Sequence, residues 1–389
     1  MITEFQIKNF RSIKAQTIPV KKLNILYGPN GSGKSSVLYA PYVMRNFFVN
    51  PNQRLDSLFN LGFINLGNYE NIQHNNKDLL VTISLKSKIK PFLSAQTTDD
   101  DLKYSLVFDD FVGHEIGYQI NNFKDSFSFS LPYSLTEKKE VEIYGGKFLW
   151  NGFTFESFKD NNNSTDKIFP SQLNIIYEDI KSLEMISVRR GFFSPIFSSE
   201  FNPDEANFAL QIRENLDFEL KIDKYFNSIF DKNFRFVAIP GSTSFYLKTH
   251  TKSGRSTDLV NEGFGVNQTL YMLIKLLKKS TGLAMIEEPE IHLHPTAQAK
   301  LMDAFCDIVE KENKQIFITT HSENIVSSVL RKIADGEMDK NDVQFYLAKK
   351  ENDETIVMPQ EVNNKGQIEG GLMNFMETEL SNLKTILGI

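Results

Sequence analysis

The sequence predicts an α/β fold with a mainly parallel core sheet, an antiparallel β lobe and a short helical insertion. Strand-like and helix-like runs alternate at both ends of the chain, as a parallel sheet covered on both faces requires. The middle carries short alternating runs rich in Phe, Tyr, Ser and Asn, the composition of antiparallel β structure. A glycine-rich turn, Gly28-Pro29-Asn30-Gly31-Ser32-Gly33-Lys34-Ser35-Ser36, directly follows one strand and opens a helix.

In chain order, Phe5, Ile7, Leu23–Tyr27 and Leu79–Leu85 read as strands. The helix from about Gly33 contains Pro41, which should kink or stop it after about two turns. Residues 91–180 hold runs such as Tyr104–Phe108 and Val141–Tyr144, punctuated by Gly145-Gly146 and Asn161–Asn163. The acidic triplet Asp99-Asp100-Asp101 reads as a solvated loop. From Pro203 to Phe230 the period becomes helical, in a window too short for a long coiled coil. Then follow a helix at about 266–279, the strand Leu283–Ile286 and a helix at about 296–312. The strand Gln315–Thr320, a helix at about 323–333 and the strand Val343–Ala348 complete the alternation. The expected division is 1–90, 91–254 and 255–389.

The 389 residues suffice for a large core, and 43 Lys+Arg against 49 Asp+Glu give a net charge of −6. That balance argues against indiscriminate coating of nucleic acid. A single cysteine, Cys306, excludes a disulfide framework and fits a reducing compartment. With Met302, Phe305 and Val309 it reads as core packing on a helix. The N-terminus has no signal-peptide pattern and no run reaches membrane-helix length, so a soluble cytoplasmic protein is expected.

The turn at 28–36 has the residues a triphosphate needs. Glycines allow successive backbone N–H groups to face inward as an anion nest at a helix N-terminus. Lys34 places a point charge on the β/γ-phosphates, and the Ser35 hydroxyl suits Mg²⁺. The apolar strand Leu283–Ile286 ends in Glu287 and Glu288. In a P-loop fold the first acid holds the Mg²⁺ water shell and the second orients and deprotonates water.

Four blocks then carry a resemblance. Glu287-Glu288-Pro-Glu-Ile-His-Leu-His-Pro295 resembles the extended Walker B of ABC-type, AAA-family P-loop ATPases related to the RecF, SMC and OLD proteins. Asn9-Phe10-Arg11-Ser12 leading to Tyr27–Ser35 is similar to their N-terminal half. Asn261-Glu-Gly263-Phe-Gly265-Val-Asn-Gln268 resembles their signature motif in a divergent form, and Thr319-Thr320-His321-Ser322 their switch histidine.

The resemblance implies an ATPase with ATP and Mg²⁺, in which two heads sandwich nucleotide and a symmetric homodimer completes two sites. It assigns Glu288 and His321 to catalysis, Ser35 and Glu287 to the metal, and Asn261, Gly263 and Gly265 to the partner's γ-phosphate. It also brings Arg11 to the nucleotide, makes one of Arg189 and Arg190 functional, and suggests Gln73 as the glutamine-loop residue. Glu290, His292 and His294 have metal-ligand spacing but occupy the family's D-loop position. The tail resembles standalone members without a Toprim nuclease domain, so an effector would be a separate polypeptide.

The implied role is a sensor or regulatory ATPase in bacterial antiphage defence. Alternatives are a repair or recombination ATPase acting directly on DNA, and a non-catalytic ATP-binding scaffold; a transporter ATPase fits less well. Lys232, Arg235, Lys248, Lys252 and Arg255, interleaved with aromatics, admit a DNA contact. The alternation in Phe234–Ile239 favours a hairpin with solvated basic side chains.

Overall fold

The computed structural model describes residues 1–53, 55–74, 80–89, 100–108, 114–130, 133–158, 170–197, 215–242 and 244–369. The chain forms two compact units, Met1–Met185 with Gln344–Gln360, and Ile186–Val343 with Glu361–Ile389.

In the first unit, six antiparallel strands lie in the order Ile13–Pro19, Ile2–Phe10, Val81–Ile89, Asp100–Phe108, His114–Ile120 and Phe123–Phe129. Alternation sets one face inward: Phe5, Ile7, Ile83, Leu85, Leu102, Tyr104 and Leu106 are each no more than 1% exposed. A smaller sheet, Lys139–Ile143, Gly146–Trp150 and Phe155–Ser157, adds Trp150 to an aromatic cluster. Trp150 Nε1 donates to the Tyr104 hydroxyl at 3.0 Å, which donates to the Phe153 carbonyl at 3.2 Å. Burial pushes the Tyr104 phenol well above its usual range.

The strand Leu23–Tyr27 is buried along its whole length and lies beside Val343–Glu351, which pairs antiparallel with Glu354–Gln360. It feeds the helix Lys34–Val49. Pro41, expected to kink or stop that helix, does not stop it. Pro41 itself is buried, and beyond it Val43, Met44, Phe47 and Phe48 are at most 2% exposed. Burying those four side chains outweighs the one backbone hydrogen bond that proline removes.

In the second unit, Leu283–Glu287 and Gln315–Thr320 pair in parallel. The helix Pro295–Lys311 connects them and packs on Glu323–Ala334 and on the insertion helix Leu216–Phe230. Residues 203–214 of the expected helical stretch lie outside the described residues, and Asn215 caps the remainder by accepting from Phe218 N. Cys306 is 3% exposed, and burial pushes its thiol up to about 12.

Lys232–Ala238 and Phe245–Thr251 form the hairpin that the alternation favoured. Phe234 and Phe245 are fully buried, and Phe236 stacks on Phe245 at 4.2 Å. Four of the basic side chains meet carboxylates: Lys232 with Glu262, Arg235 with Asp223, Lys248 with Asp258, and Lys252 with Asp231. Asp99 lies outside the described residues. Asp100, expected in a solvated loop, is 7% exposed and accepts from Asn121 and Tyr144. Its strand begins earlier than its polar sequence suggests, because those two donors satisfy the carboxylate.

Candidate active site

The phosphate loop belongs to the first unit. Gly28, Gly31 and Gly33 have φ of 152°, 74° and 91°, angles that strain any residue with a Cβ. Space restricts two of them further. A Cβ on Gly28 would overlap the Ala348 carbonyl oxygen, and one on Gly33 would overlap the Thr355 hydroxyl. Thr355 Oγ1 is held 2.7 Å from Ser12 Oγ, so a C-terminal hairpin braces the loop beside the residue after Arg11.

Gly33 caps the helix without a side-chain bond, and its carbonyl accepts from the Ser36 N–H at 3.0 Å. Lys34 is 6% exposed, and its ammonium donates to the carbonyls of Gly28 and Pro29, each at 3.0 Å. Pro29, Asn30 and Gly31 are exposed, Ser35 is half-buried, and Ser32 and Ser36 are buried. The Ser32 hydroxyl makes no hydrogen bond.

Arg11 takes φ of 53°, its N–H donates to the Ile72 carbonyl at 2.6 Å, and its guanidinium lies 5.8 Å from the Tyr39 ring centroid on the loop's helix. Gln73 bridges to Phe10, so Arg11 and Gln73 occupy adjoining backbone segments.

The acidic strand end belongs to the second unit. Glu287 is 3% exposed, and its Oε2 has no hydrogen-bond partner. Glu288 follows at φ of 42°, a left-handed conformation uncommon for glutamate, and its N–H donates to the Thr319 carbonyl at 2.8 Å. That twist brings Glu288 Oε1 to 3.1 Å from His321 Nε2, with both side chains about one-third exposed. Glu290 Oε1 accepts from the Thr320 hydroxyl at 2.7 Å and from the His321 N–H at 2.8 Å, which fixes the loop bearing the histidine.

Among the described residues no group of three or more His, Cys, Asp or Glu side chains is arranged to hold a metal ion by itself. Glu290 is engaged as above, His294 accepts the Thr296 N–H as a helix cap, and His292 lies 5.6 Å from the Phe264 ring.

The arginine pair separates. Arg189 is exposed, whereas Arg190 is 2% exposed and donates to the carbonyls of Glu287 at 2.5 Å, Glu288 at 2.7 Å and Ser187 at 3.1 Å. Burial lowers its guanidinium to about 10, although Glu290, Glu287 and Glu288 favour the charge. Arg190 therefore holds the backbone from which both acids project.

The helix expected to follow a signature motif starts at Phe264, two residues before the sequence expectation, with Gly263 as its cap and Gly265 in its first turn. Gly263 has open space around it. A Cβ on Gly265 would overlap the His292 carbonyl oxygen, so this glycine lets the helix pack on the loop after the two acids. Asn261 closes a short 3₁₀ turn before the helix. Asn267, buried in the helix, accepts from Phe192 N and donates to Phe192 O at 2.7 and 2.8 Å, tying it to the segment after Arg190.

A phosphate loop with its lysine seated, and an acidic strand end beside a histidine, define a P-loop NTPase with an ABC-type ATPase head. The chain belongs to the family described as "AAA domain, putative AbiEii toxin, Type IV TA system", whose model matches residues 23–327. It is 23% identical over 395 residues to an "ATP/GTP phosphatase" of Helicobacter pylori (strain ATCC 700392 / 26695), covering 92% of this chain and 94% of that protein.

Two solved structures share the fold. One is an SMC head bound to the C-winged helix domain of ScpA, at TM-score 0.53 and 10% identity, covering 92% of this chain and 97% of that one. The other is an SMC head with an extended coiled coil bound to the C-terminal domain of ScpA, derived from Pyrococcus furiosus, at TM-score 0.51 and 11% identity over 99% of both chains. Among the described residues no helix is long and apolar enough to cross a membrane.

Proposed function

We propose that the chain binds and hydrolyses ATP and that the nucleotide cycle drives two copies to pair through their heads. The observation that carries this reading is the Glu288–His321 pair at 3.1 Å. A carboxylate at a strained backbone position, oriented by a histidine at the end of the neighbouring parallel strand, suits a general base.

In this reading Lys34 exchanges its loop carbonyls for the β/γ-phosphates, while Glu288 orients the attacking water and accepts its proton. His321 exchanges Glu288 for the γ-phosphate and so reports its presence. Magnesium fits the donor set, because Glu287 leaves a buried carboxylate oxygen without a hydrogen-bond partner. Ser35 and Glu287 would hold the ion, which when bound neutralises phosphate charge. Gly263 and Gly265, with Asn261, would present the signature helix N-terminus to the γ-phosphate held by the second copy.

The family description, which names a toxin–antitoxin system, supports a role as the sensor or regulatory ATPase of bacterial antiphage defence. In that role the protein is cytoplasmic and signals to an effector on another polypeptide. The name of the Helicobacter pylori relative supports hydrolysis.

Light scattering of wild type and Glu288→Gln, with and without Mg-ATP, tests the cycle. The expected result is a monomer without nucleotide and a dimer of the variant with ATP. A species of the same mass under all four conditions would refute nucleotide-driven pairing, and a protein that binds no ATP would end the reading altogether.

A further inference from the structure

The six-stranded sheet of the first unit turns a polar face to solvent, and that face carries a cavity of about 530 Å³, within the range of small-ligand sites. Its floor is one cross-strand row: Gln6 opposite Ser84, Ser84 opposite Ser105, Ser105 opposite Gly117, and Gly117 opposite Ser126. Ser84 and Ser105 share a hydroxyl hydrogen bond at 2.8 Å. Small side chains on four strands, with Gln6 on the fifth, leave a trough roughly 19 Å long, from four spacings of about 4.8 Å.

Gly117 is not small for want of room. A Cβ there would sit 3.5 Å from the Asp125 carbonyl oxygen, an ordinary contact. Glycine weakens a strand interior, and its presence without a packing reason fits close approach of a ligand.

The next row forms a basic wall. Lys86 stands opposite Lys103, Lys103 opposite Gln119, and Gln119 opposite Lys124. Like charges placed directly across a strand pair are unfavourable. Burial and then the charges of Lys86 and Lys8 lower the Lys103 ammonium from its ordinary value. Glu4 neutralises Lys86 at 2.8 Å. Asp125, which also lines the cavity, is already bonded to Lys139. Lys8 closes the other side, opposite Thr82, with Glu115 further along that row. Among the described residues, Lys8, Lys103 and Lys124 thus face the trough against one carboxylate of its lining without an ion pair, Glu115.

We propose that this trough binds a small phosphate ester of nucleotide size, separate from the phosphate loop and additional to the ATPase cycle proposed above. Lysines supply the charge complement, and Ser105, Ser126, Thr82 and Gln6 supply hydroxyl and amide hydrogen bonds. Single-stranded nucleic acid would call for exposed aromatic platforms. The aromatic residue along the trough, Tyr118, instead buries its ring 5.0 Å from that of Trp150.

The test uses full-length Lys34→Ala protein, so that the phosphate loop does not contribute and the outcome is independent of the ATPase reading. Calorimetric titration with AMP should show one site, weakened at least about tenfold by adding Lys8→Gln and Lys103→Gln and weakened again by salt. The added substitutions relieve like-charge repulsion, so the melting temperature should hold or rise, which separates lost binding from lost folding. Absence of AMP binding at millimolar concentration, or binding indifferent to the two lysines, would overturn the proposal. Binding of a thymidine oligonucleotide but not of AMP would also overturn it, in favour of a nucleic-acid backbone.

Discussion

Replacing Arg190 with methionine separates what this buried cation does for stability from what it does for the site. Three bonds, to the carbonyls of Ser187, Glu287 and Glu288, would be lost, and a buried acceptor left unsatisfied costs about 1–3 kcal/mol, so the loss is about 3–9 kcal/mol. Against this, burial lowers the guanidinium from its ordinary value to about 10, a penalty of about 3 kcal/mol that methionine escapes. The net change therefore runs from about zero to a loss of about 6 kcal/mol. The site has no such offset. Glu288 keeps its left-handed backbone partly because Arg190 holds its carbonyl, and a displacement of about 1 Å at a catalytic group can lower turnover about 100-fold. Arg190→Met should thus melt no more than about 12 °C below wild type, at roughly 2 °C per kcal/mol. ATP turnover should fall by about 10–100-fold with KM for ATP unchanged. A kcat within about twofold of wild type would refute the positioning role, and a collapse of the melting transition would show Arg190 to be structural.

Gly263→Ala should fold and melt normally because space around it is open, whereas Gly265→Ala must displace the His292 carbonyl and should lose about 1–2 kcal/mol by thermal melting despite alanine's better helix propensity. Gly33→Ala should abolish nucleotide binding in an equilibrium titration, and adding Thr355→Gly should restore little of it, since the φ of 91° persists when the clash is removed. Cys306, with its thiol at about 12 rather than 9, should alkylate about a thousandfold more slowly at pH 8 in the folded protein than in urea. The stability linked to that thiol is fully present below pH 9 and is lost as pH rises from 9 toward 12, because the unfolded thiol ionises first. Glu290→Gln retains an acceptor oxygen for Thr320 and His321 and should keep most turnover, whereas Glu290→Ala leaves both donors without it and should slow hydrolysis by about tenfold or more.

Legibility in the sequence followed the range of each constraint. The strand Gln315–Thr320 matched to the residue, and the phosphate loop was found where expected, because a short, fully buried apolar run and glycine angles are local requirements. Arg190 could not be told from Arg189, since adjacent identical residues differ only in what surrounds them in the fold. Thr355 was missed because its contact with Gly33 joins distant segments with no periodic signal. The helix runs on past Pro41 because tertiary burial of Phe47 and Phe48 outweighs a local breaker. The floor and wall of the trough were hidden for a related reason. Each strand shows its alternation, but the rows emerge only from the register of five strands.

The loop from Glu288 to His294 is the element through which the second unit could couple its parts. Its carbonyl at Glu288 is held by Arg190, its Glu290 carboxylate by the switch segment, and its Leu293 carbonyl by Gln298, which also accepts from Ser322. Its His292 carbonyl packs on Gly265 of the signature helix. A shift of His321 toward a phosphate would pull on Glu290 directly, and a shift of the signature helix would press on His292. In the proposed cycle both inputs would meet at a backbone already twisted at Glu288, so two rigid contacts rather than a long chain of side chains would suffice to make the position of Glu288 depend on phosphate and on a second copy. Closely packed backbone moves between discrete arrangements rather than by degrees, and a switch that must be either set or released needs that property.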